Sequence, residues 1–103
     1  MSKYGAIRTN GYASKREASR AQALKILERA GNISELKEQV VFEIAPSVVI
    51  QGRKRPPMKY IADFVYIEDG VRVVEDCKGF RTSEYRIKRH LMKSVHGIEI
   101  LET

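Results

Sequence analysis

Three charged side chains in the middle of the sequence have the types and the spacing of a metal-dependent hydrolytic centre. Asp63 lies in one apolar run, and Asp76 and Lys78 lie two residues apart in the next. Residues two apart on a β-strand point to the same face of a sheet. Carboxylate oxygens beside open coordination positions suit Mg²⁺ or Mn²⁺, which keep water ligands and accept phosphate oxygens. The chemistry that these residues favour is hydrolysis of a phosphodiester.

The turn between the two runs is expected to bring Asp63 to this pair. Asp69-Gly70 between alternating apolar runs is a strong signal for a two-residue β-hairpin turn. Counted from such a turn, Asp63 lies directly opposite Asp76, and Ile61 lies opposite Lys78. Opposed residues of antiparallel strands share a face, with their β-carbons roughly 4.5–5.5 Å apart. We therefore expect two carboxylates and an ammonium group on one patch of the sheet.

Two carboxylates this close are unfavourable unless something compensates their charge. At about 5 Å and an effective dielectric constant near 20, they repel by roughly 3 kcal/mol. A divalent cation or a shared proton removes that cost, and a cation is the simpler solution. Two other arrangements remain open. A three-residue turn would oppose Asp63 with Glu75 and turn Lys78 to the other face, and the strand-end carboxylates could simply face water.

Two further groups could complete the metal site. Glu17 shares a helical stripe with Ala21 and Leu24, the side of the helix that should meet the sheet. Its carboxylate could therefore reach the metal, or it could only complete a capping box with Ser14. The backbone carbonyl of Cys77 is the other candidate ligand.

Basic residues cluster in two segments that could hold the phosphates of a nucleic acid. Segment 51–59 is predicted to be a loop, because Pro56 and Pro57 exclude it from a sheet interior. A helix over 84–95 presents a second basic face, for which a solvated surface is the alternative. On that helix Lys88 lies among apolar neighbours, so it either extends to solvent or points to the site. The residues predicted to bind DNA are Arg53, Lys54, Arg55, Lys59, Arg86, Lys88, Arg89 and Lys93.

The elements that would position these residues alternate between helix and strand. Ser14 and Glu17 predict the start of a helix over 15–30, which Gly31-Asn32 ends. Alternating apolar residues predict strands over 39–45, 60–67 and 71–78, and a last strand over 98–101 follows the second helix. This order predicts an α/β fold with an α-β-β-β-α-β core, in which flanking helices cover a mixed four-stranded sheet.

Size and composition limit the class of protein. A chain of 103 residues forms one domain, predicted here over 14–103 after a flexible basic arm over 1–13. The net charge of +6 favours a polyanionic partner such as nucleic acid. A single cysteine excludes an intrachain disulfide and a cysteine-rich zinc site. Because no apolar run reaches the roughly 20 residues of a membrane span and no secretion signal is evident, we expect a cytoplasmic protein.

This pattern resembles the PD-(D/E)XK nuclease superfamily, whose hallmark is an acid on one strand and Asp/Glu-x-Lys on the next. More narrowly, the chain is similar to a family of small bacteriophage proteins that is grouped with Holliday junction resolvase-like enzymes. The stretches that match cover nearly the whole chain: Ser14 to Glu17, Gly31 to Leu36 with Gln39, Ala62 to Phe64, Val74 to Gly79, and Thr82 with Lys88.

The resemblance implies a restriction-endonuclease-like fold and Mg²⁺-dependent cleavage of DNA, often by a homodimer. It also implies that Glu17 takes the place of the first-helix acid of many superfamily members. Lys78 would position the attacking water or stabilise the developing charge. There are two departures from the pattern. Ala62 precedes Asp63 where the superfamily name has proline, and Lys88 lies near the position where some nucleases have glutamine.

The substrate is expected to be DNA of a particular shape, because the sequence contains no module that reads bases. A four-way junction is the first choice, and a nick, a flap and ordinary duplex remain open. If the chain is encoded by a phage, the location would be the host cytoplasm. Two other functions also stay open: a non-catalytic DNA-binding phage accessory protein that kept the fold, and a nuclease directed at RNA.

Overall fold

The computed structural model describes residues 11–78 and 80–103. Two helices and six strands follow one another along the chain: α1 (Lys15–Arg29), β1 (Ser34–Ala45), β2 (Val48–Ile50), β3 (Arg53–Arg55), β4 (Met58–Glu68), β5 (Val71–Asp76), α2 (Ser83–His96) and β6 (Leu101–Glu102). Of the predicted arm, residues 1–10 lie outside the described part of the chain. Tyr12, which was assigned to the arm, packs against the α1 side of the core and accepts a hydrogen bond from Lys25.

The main sheet has four strands in the order β1-β4-β5-β6. β1, β4 and β5 form an antiparallel meander, and β6 pairs in parallel with β5 after the chain has passed through α2. The two helices cover opposite faces: Leu24 of α1 lies in one apolar cluster, and Met92 of α2 lies in the other. The predicted α/β fold with a mixed four-stranded sheet and flanking helices is confirmed.

Local sequence signals determine where the helices begin and end. Ser14 caps α1 by accepting a hydrogen bond from the backbone N–H of Glu17 (3.1 Å), which is one half of a capping box. Thr82 caps α2 in the same way through the N–H of Tyr85 (3.0 Å). Gly97 ends α2 in the left-handed conformation, at φ 69°, where glycine carries no steric penalty. In the part of the chain that the structure describes, neither helix has the length and apolarity needed to cross a membrane.

The turn between β4 and β5 has two residues, as predicted. Asp69 and Gly70 both have positive φ, 52° and 76°, which is the conformation of a type I′ turn. Glu68 therefore pairs with Val71, and the ladder continues without a shift to Phe64 and Glu75. This register excludes the alternative in which Asp63 faces Glu75.

The strand β4 changes phase at Asp63: the alternation of its side chains between the two faces of the sheet shifts there by one residue. Tyr60 and Ala62 belong to the apolar cluster under α2, whereas Phe64 and Tyr66 belong to the cluster under α1. Regular alternation would send all four of these even-numbered residues to one face. One strand thus supplies core residues to both helices, and Asp63 is the residue at which it switches.

The neighbouring strand β1 changes phase at the same level. Leu36 packs on the cluster under α1, and Val40 and Phe42 pack on the cluster under α2. Between them, Gln39 has a φ of 54°, a left-handed conformation that non-glycine residues adopt rarely. Its flanking residues pair with those of Asp63, so both strands switch faces side by side.

Several predicted boundaries were wrong. The strand predicted over 71–78 ends at Asp76, so Lys78 lies beyond it. β1 begins at Ser34, before the predicted 39, because its first part has exposed polar residues that hide the alternation. Segment 51–59 is not a loop: β2 and β3 form a separate two-stranded hairpin around Gln51-Gly52, and β4 already begins at Met58. The last strand contains only Leu101–Glu102, since Ile98 and Ile100 pack against the core before it starts.

Candidate active site

Asp76 is a buried carboxylate at the end of β5. Its side chain is only 3% exposed. The hydroxyl of Tyr60 donates a hydrogen bond to Oδ2 over 2.5 Å, and Nζ of Lys78 lies 3.4 Å from Oδ1. Because burial and Asp76 both raise the pKa of Tyr60, this phenol keeps its proton and remains a donor. Asp76 and Lys78 therefore lie side by side as predicted, although Lys78 follows the end of β5 and is not part of the strand.

Asp63 approaches Asp76 from β4. Oδ2 of Asp63 accepts a hydrogen bond from the backbone N–H of Cys77 over 2.9 Å, which joins the two strands at the point where their ladder ends. The two carboxyl groups are close enough that Asp63 raises the pKa of Asp76. The phase change at Asp63 removes this residue from regular alternation, and its side chain instead points along the strand ends toward β5.

Two open cavities adjoin the residues of the site. Lys78, Lys88 and Lys59 line a cavity of about 350 Å³ beside the first turn of α2, where Nζ of Lys78 also lies 4.4 Å from the ring centre of Tyr85. Asp63 lines a second cavity, of about 570 Å³. The buried Asp76 contacts one lining residue of each cavity, Lys78 in the first and Asp63 in the second.

The second cavity also contains Glu17. This residue is 8% exposed, faces the sheet together with Ala21 and Leu24 as predicted, and accepts a hydrogen bond from the side-chain amide of Gln39 over 3.3 Å. Glu17, Gln39 and Asp63 line the same cavity wall. The structure thus brings the α1 carboxylate to the cavity of the site, next to the two residues at which the strands change phase.

The charge on Asp76 is unfavourable in this environment. Burial raises the pKa of Asp76, and the Asp63 carboxyl raises it further, whereas the hydrogen bond from Tyr60 and the charge of Lys78 lower it. The resulting pKa is about 7, far above the 3.8 of a free aspartate. Asp63 and Asp76 are thus two adjacent carboxyl groups, one of which retains a proton up to neutral pH. Their negative charges are not fully compensated, and a bound cation would stabilise them.

This pKa predicts a pH dependence of stability for the metal-free protein. The folded state holds a proton on Asp76 that the unfolded chain loses near pH 4, so the contribution of Asp76 to folding falls as the pH rises from about 4 to about 7. One pKa unit corresponds to about 1.4 kcal/mol. Relative to the wild type, Asp76→Asn should therefore gain up to about 4 kcal/mol of unfolding free energy between pH 4 and pH 8. Urea unfolding in EDTA measures this, and a difference independent of pH would contradict it.

The next residue of β5 has the opposite electrostatic environment. Glu75 is fully buried on the α1 side, where burial alone would raise its pKa. Hydrogen bonds from Arg20 (2.6 and 3.0 Å) and Tyr66 (2.6 Å), together with one from Thr103, outweigh burial and hold the pKa of Glu75 below its ordinary value. Of the two adjacent acids on β5, Glu75 therefore has its charge compensated by neighbouring groups, whereas the charge of Asp76 is compensated only in part.

The predicted DNA-binding residues lie in three places. Arg53, Lys54 and Arg55 are exposed on β3, and Lys59 and Lys88 line the cavity of Lys78. On α2, Arg86 is exposed. Two other cations of this helix have acidic neighbours: Arg89 donates to Glu102 over 3.0 Å, and Nζ of Lys93 lies 3.9 Å from Glu99. Lys88 is also paired, with Glu84 at 3.0 Å.

Several residues of the site had no assigned role in the sequence analysis. Tyr60 contacts Asp76, Gln39 contacts Glu17, and Arg20 neutralises Glu75. Strict alternation along β4 would place Tyr60 on the face opposite Asp63, so the phase change had to be known before Tyr60 could be found. Gln39 is one of the residues on which the resemblance to the bacteriophage proteins was based, and this was its one available signal.

The donor atoms present fit Mg²⁺ or Mn²⁺. Within residues 11–78 and 80–103, no three His, Cys, Asp or Glu side chains assemble into a metal-binding group. Asp63 and Asp76 nevertheless supply carboxylate oxygens side by side in an unbalanced pair, and oxygen is the ligand these ions prefer. The contributions of Glu17 and of the Cys77 carbonyl stay predictions.

Residues 1–98 match a family model described as "Protein of unknown function (DUF1064)". No curated protein and no solved structure matches the chain.

Proposed function

The chain belongs to the DUF1064 family, whose description assigns no activity, and from the geometry of the site we propose that it is a metal-dependent endonuclease that hydrolyses DNA phosphodiester bonds. The observation that carries this proposal is the buried Asp76, in contact with Asp63 and 3.4 Å from Lys78, two residues that each line an open cavity. A purely structural role accounts poorly for this arrangement. Lys78 and Tyr60 compensate the charge of Asp76 only in part, so burial of the acidic pair weakens the fold at neutral pH.

In the proposed reaction, Asp63 and Asp76 would hold the metal, and Glu17 and the carbonyl of Cys77 would be its further ligands. When bound, Mg²⁺ or Mn²⁺ lowers the pKa of water and neutralises charge on the phosphate. The water would lose a proton as its oxygen bonds to phosphorus, and the bond from phosphorus to one bridging sugar oxygen would break, that oxygen leaving as a hydroxyl after it takes up a proton. Lys78 stabilises the negative charge that develops on the phosphate or positions the water, and Tyr60 fixes the orientation of Asp76.

The proposed substrate is branched DNA, first of all a four-way junction, in the cytoplasm of the cell or infected host. A homodimer with two such sites would cut symmetrically related strands of a junction. Lys59 and Lys88, which line the cavity of Lys78, and Arg86 on the exposed face of α2 would contact phosphates next to the scissile one. Because each contact releases counterions, binding should weaken steeply as the salt concentration rises.

A cleavage assay on a panel of substrates tests the proposal. Labelled four-way junction, flap, nicked and linear DNA, with matched RNA, are incubated with Mg²⁺ or Mn²⁺, and with EDTA as the control. We expect metal-dependent cuts in DNA, with the junction cut fastest. Salt-sensitive binding without cleavage at any metal concentration would instead identify a non-catalytic DNA-binding protein, and cleavage of RNA alone would identify the other alternative.

A further inference from the structure

The β2–β3 hairpin (residues 48–55) is exposed to an unusual degree. All six of its strand residues are exposed, among them Val48, Val49 and Ile50, and Val49 is 69% exposed. The hairpin forms its own two-stranded sheet. An isolated two-stranded hairpin is only marginally stable in water, and adjacent exposed aliphatic side chains indicate a surface that contacts a partner.

The two strands of the hairpin have different chemistry. Each cross-strand pair combines an aliphatic side chain of β2 with a basic side chain of β3: Val48 with Arg55, Val49 with Lys54, and Ile50 with Arg53. Opposed residues point to the same face, so one face presents two aliphatic groups and two arginines. Along its length the hairpin therefore has one apolar edge and one cationic edge.

The charge of the hairpin indicates which class of partner it would bind. Between Glu43 and Asp63 the sequence has four basic residues and no acidic one. A second copy of the same hairpin would bring like charges together, whereas a polyanion would pair with the basic edge. The chain also leads directly from β3 through Pro56 and Pro57 into β4, where Lys59 lines the cavity of Lys78.

We propose that the β2–β3 hairpin is a ribbon that enters the major groove of duplex DNA next to the cleavage site. A two-stranded β-ribbon fits the width of that groove. The arginines would contact the phosphates at the groove edge, and Val48 and Ile50 would contact apolar base edges such as thymine methyl groups. The inference rests on DNA as the partner in the proposed function, but it does not depend on cleavage.

Binding measurements without metal test the ribbon. In the Asp76→Asn background with EDTA, affinity for a labelled duplex is measured against salt. We expect Arg53→Gln/Arg55→Gln to weaken binding and to reduce the slope of log affinity against log salt by about 2, because each phosphate contact contributes roughly 0.9. Arg29→Gln/Lys37→Gln removes the same charge from α1 and β1, and this control should leave the slope close to that of the parent.

A second pair of variants tests insertion into the groove. Val48→Ser/Ile50→Ser should weaken binding without a change in salt slope. Guanine N7 lies in the major groove, so its protection from methylation by dimethyl sulfate should be present with the parent protein and lost with these variants. Unaltered N7 reactivity with the parent protein, or arginine variants that behave like the charge control, would overturn the proposal.

Two controls separate this inference from its alternatives. Circular dichroism checks that each variant is folded. If sedimentation shows that the Val48→Ser/Ile50→Ser protein loses a dimer while DNA affinity is unchanged, the occupant is a second copy and the proposal is wrong. If no substrate is ever cut but binding depends on the ribbon as described, the proposed nuclease fails and the ribbon stands.

Discussion

Asp76→Asn should reduce metal-dependent DNA cleavage by about a thousandfold, toward the upper end of the loss expected when one charge-stabilising group is removed. The reason is that asparagine keeps the shape of the side chain and can still accept the hydrogen bond from Tyr60, but it removes the negative charge that would hold a cation. Initial rates on the preferred DNA, measured at saturating Mg²⁺, provide the test. Asp63→Asn should have an effect of the same order, because both carboxylates are proposed ligands.

The matched control for this experiment lies in the turn between β4 and β5. Asp69→Asn removes one carboxylate from the turn, and asparagine tolerates the left-handed conformation found there, so this variant should cut DNA at the wild-type rate. Because the metal-free Asp76→Asn protein should be at least as stable as the wild type at neutral pH, unfolding would not explain its loss of activity. Wild-type cleavage by Asp76→Asn would rule out the proposed enzyme.

The second large effect concerns stability. Arg20→Met should lower the unfolding free energy by about 3 kcal/mol at neutral pH, since removing one partner of a buried ion pair leaves an uncompensated charge. We place the value at the low end of the usual range because the Arg20 side chain is 31% exposed, and only Glu75 is fully buried. Urea unfolding measures the loss. Arg16→Met, on an exposed position of the same helix, should change stability little.

The pH dependence of that loss identifies its cause. Arg20 is among the groups that lower the pKa of Glu75, so the stabilisation by the pair is present above the ordinary glutamate pKa and is lost as the pH falls below it. The cost of Arg20→Met should therefore shrink toward acidic pH. Adding Glu75→Gln should recover part of the stability, because glutamine can still bond Tyr66 and Thr103 without a buried charge. A cost that is equal at all pH values would indicate lost packing instead.

Much of the fold follows from short-range signals. Ser14 and Gly97 mark helix ends through backbone hydrogen bonding and a left-handed φ, and Asp69-Gly70 determines the β4–β5 register through its turn type. These effects depend on a few neighbouring residues, so a sequence reveals them. The register in turn brings the strand end with Asp63 toward the strand end with Asp76, which is the basis of the candidate site.

The features that the sequence did not reveal depend on contacts between distant segments. The pairing of Arg20 with Glu75 joins α1 to β5, and no periodicity indicates which helix covers which face of a strand. The β2–β3 hairpin was missed because Pro56 and Pro57 indicate a loop, although the strand ends just before them. The phase change at Asp63 was missed because residues 60–67 are nearly all apolar, so alternation along them could not be read.

The phase change restricts how the chain length can vary near the site. A deletion or insertion of one residue between Lys59 and Asp63 would shift the Asp63 carboxylate by one position, into the apolar cluster under one helix or the other. It would also send residues of β4 that now pack in one cluster to the other cluster. In the hairpin between Pro46 and Pro57, residues can be gained or lost without altering either cluster. Packing of the two clusters therefore fixes the spacing around Asp63 but sets no limit on the length of the hairpin.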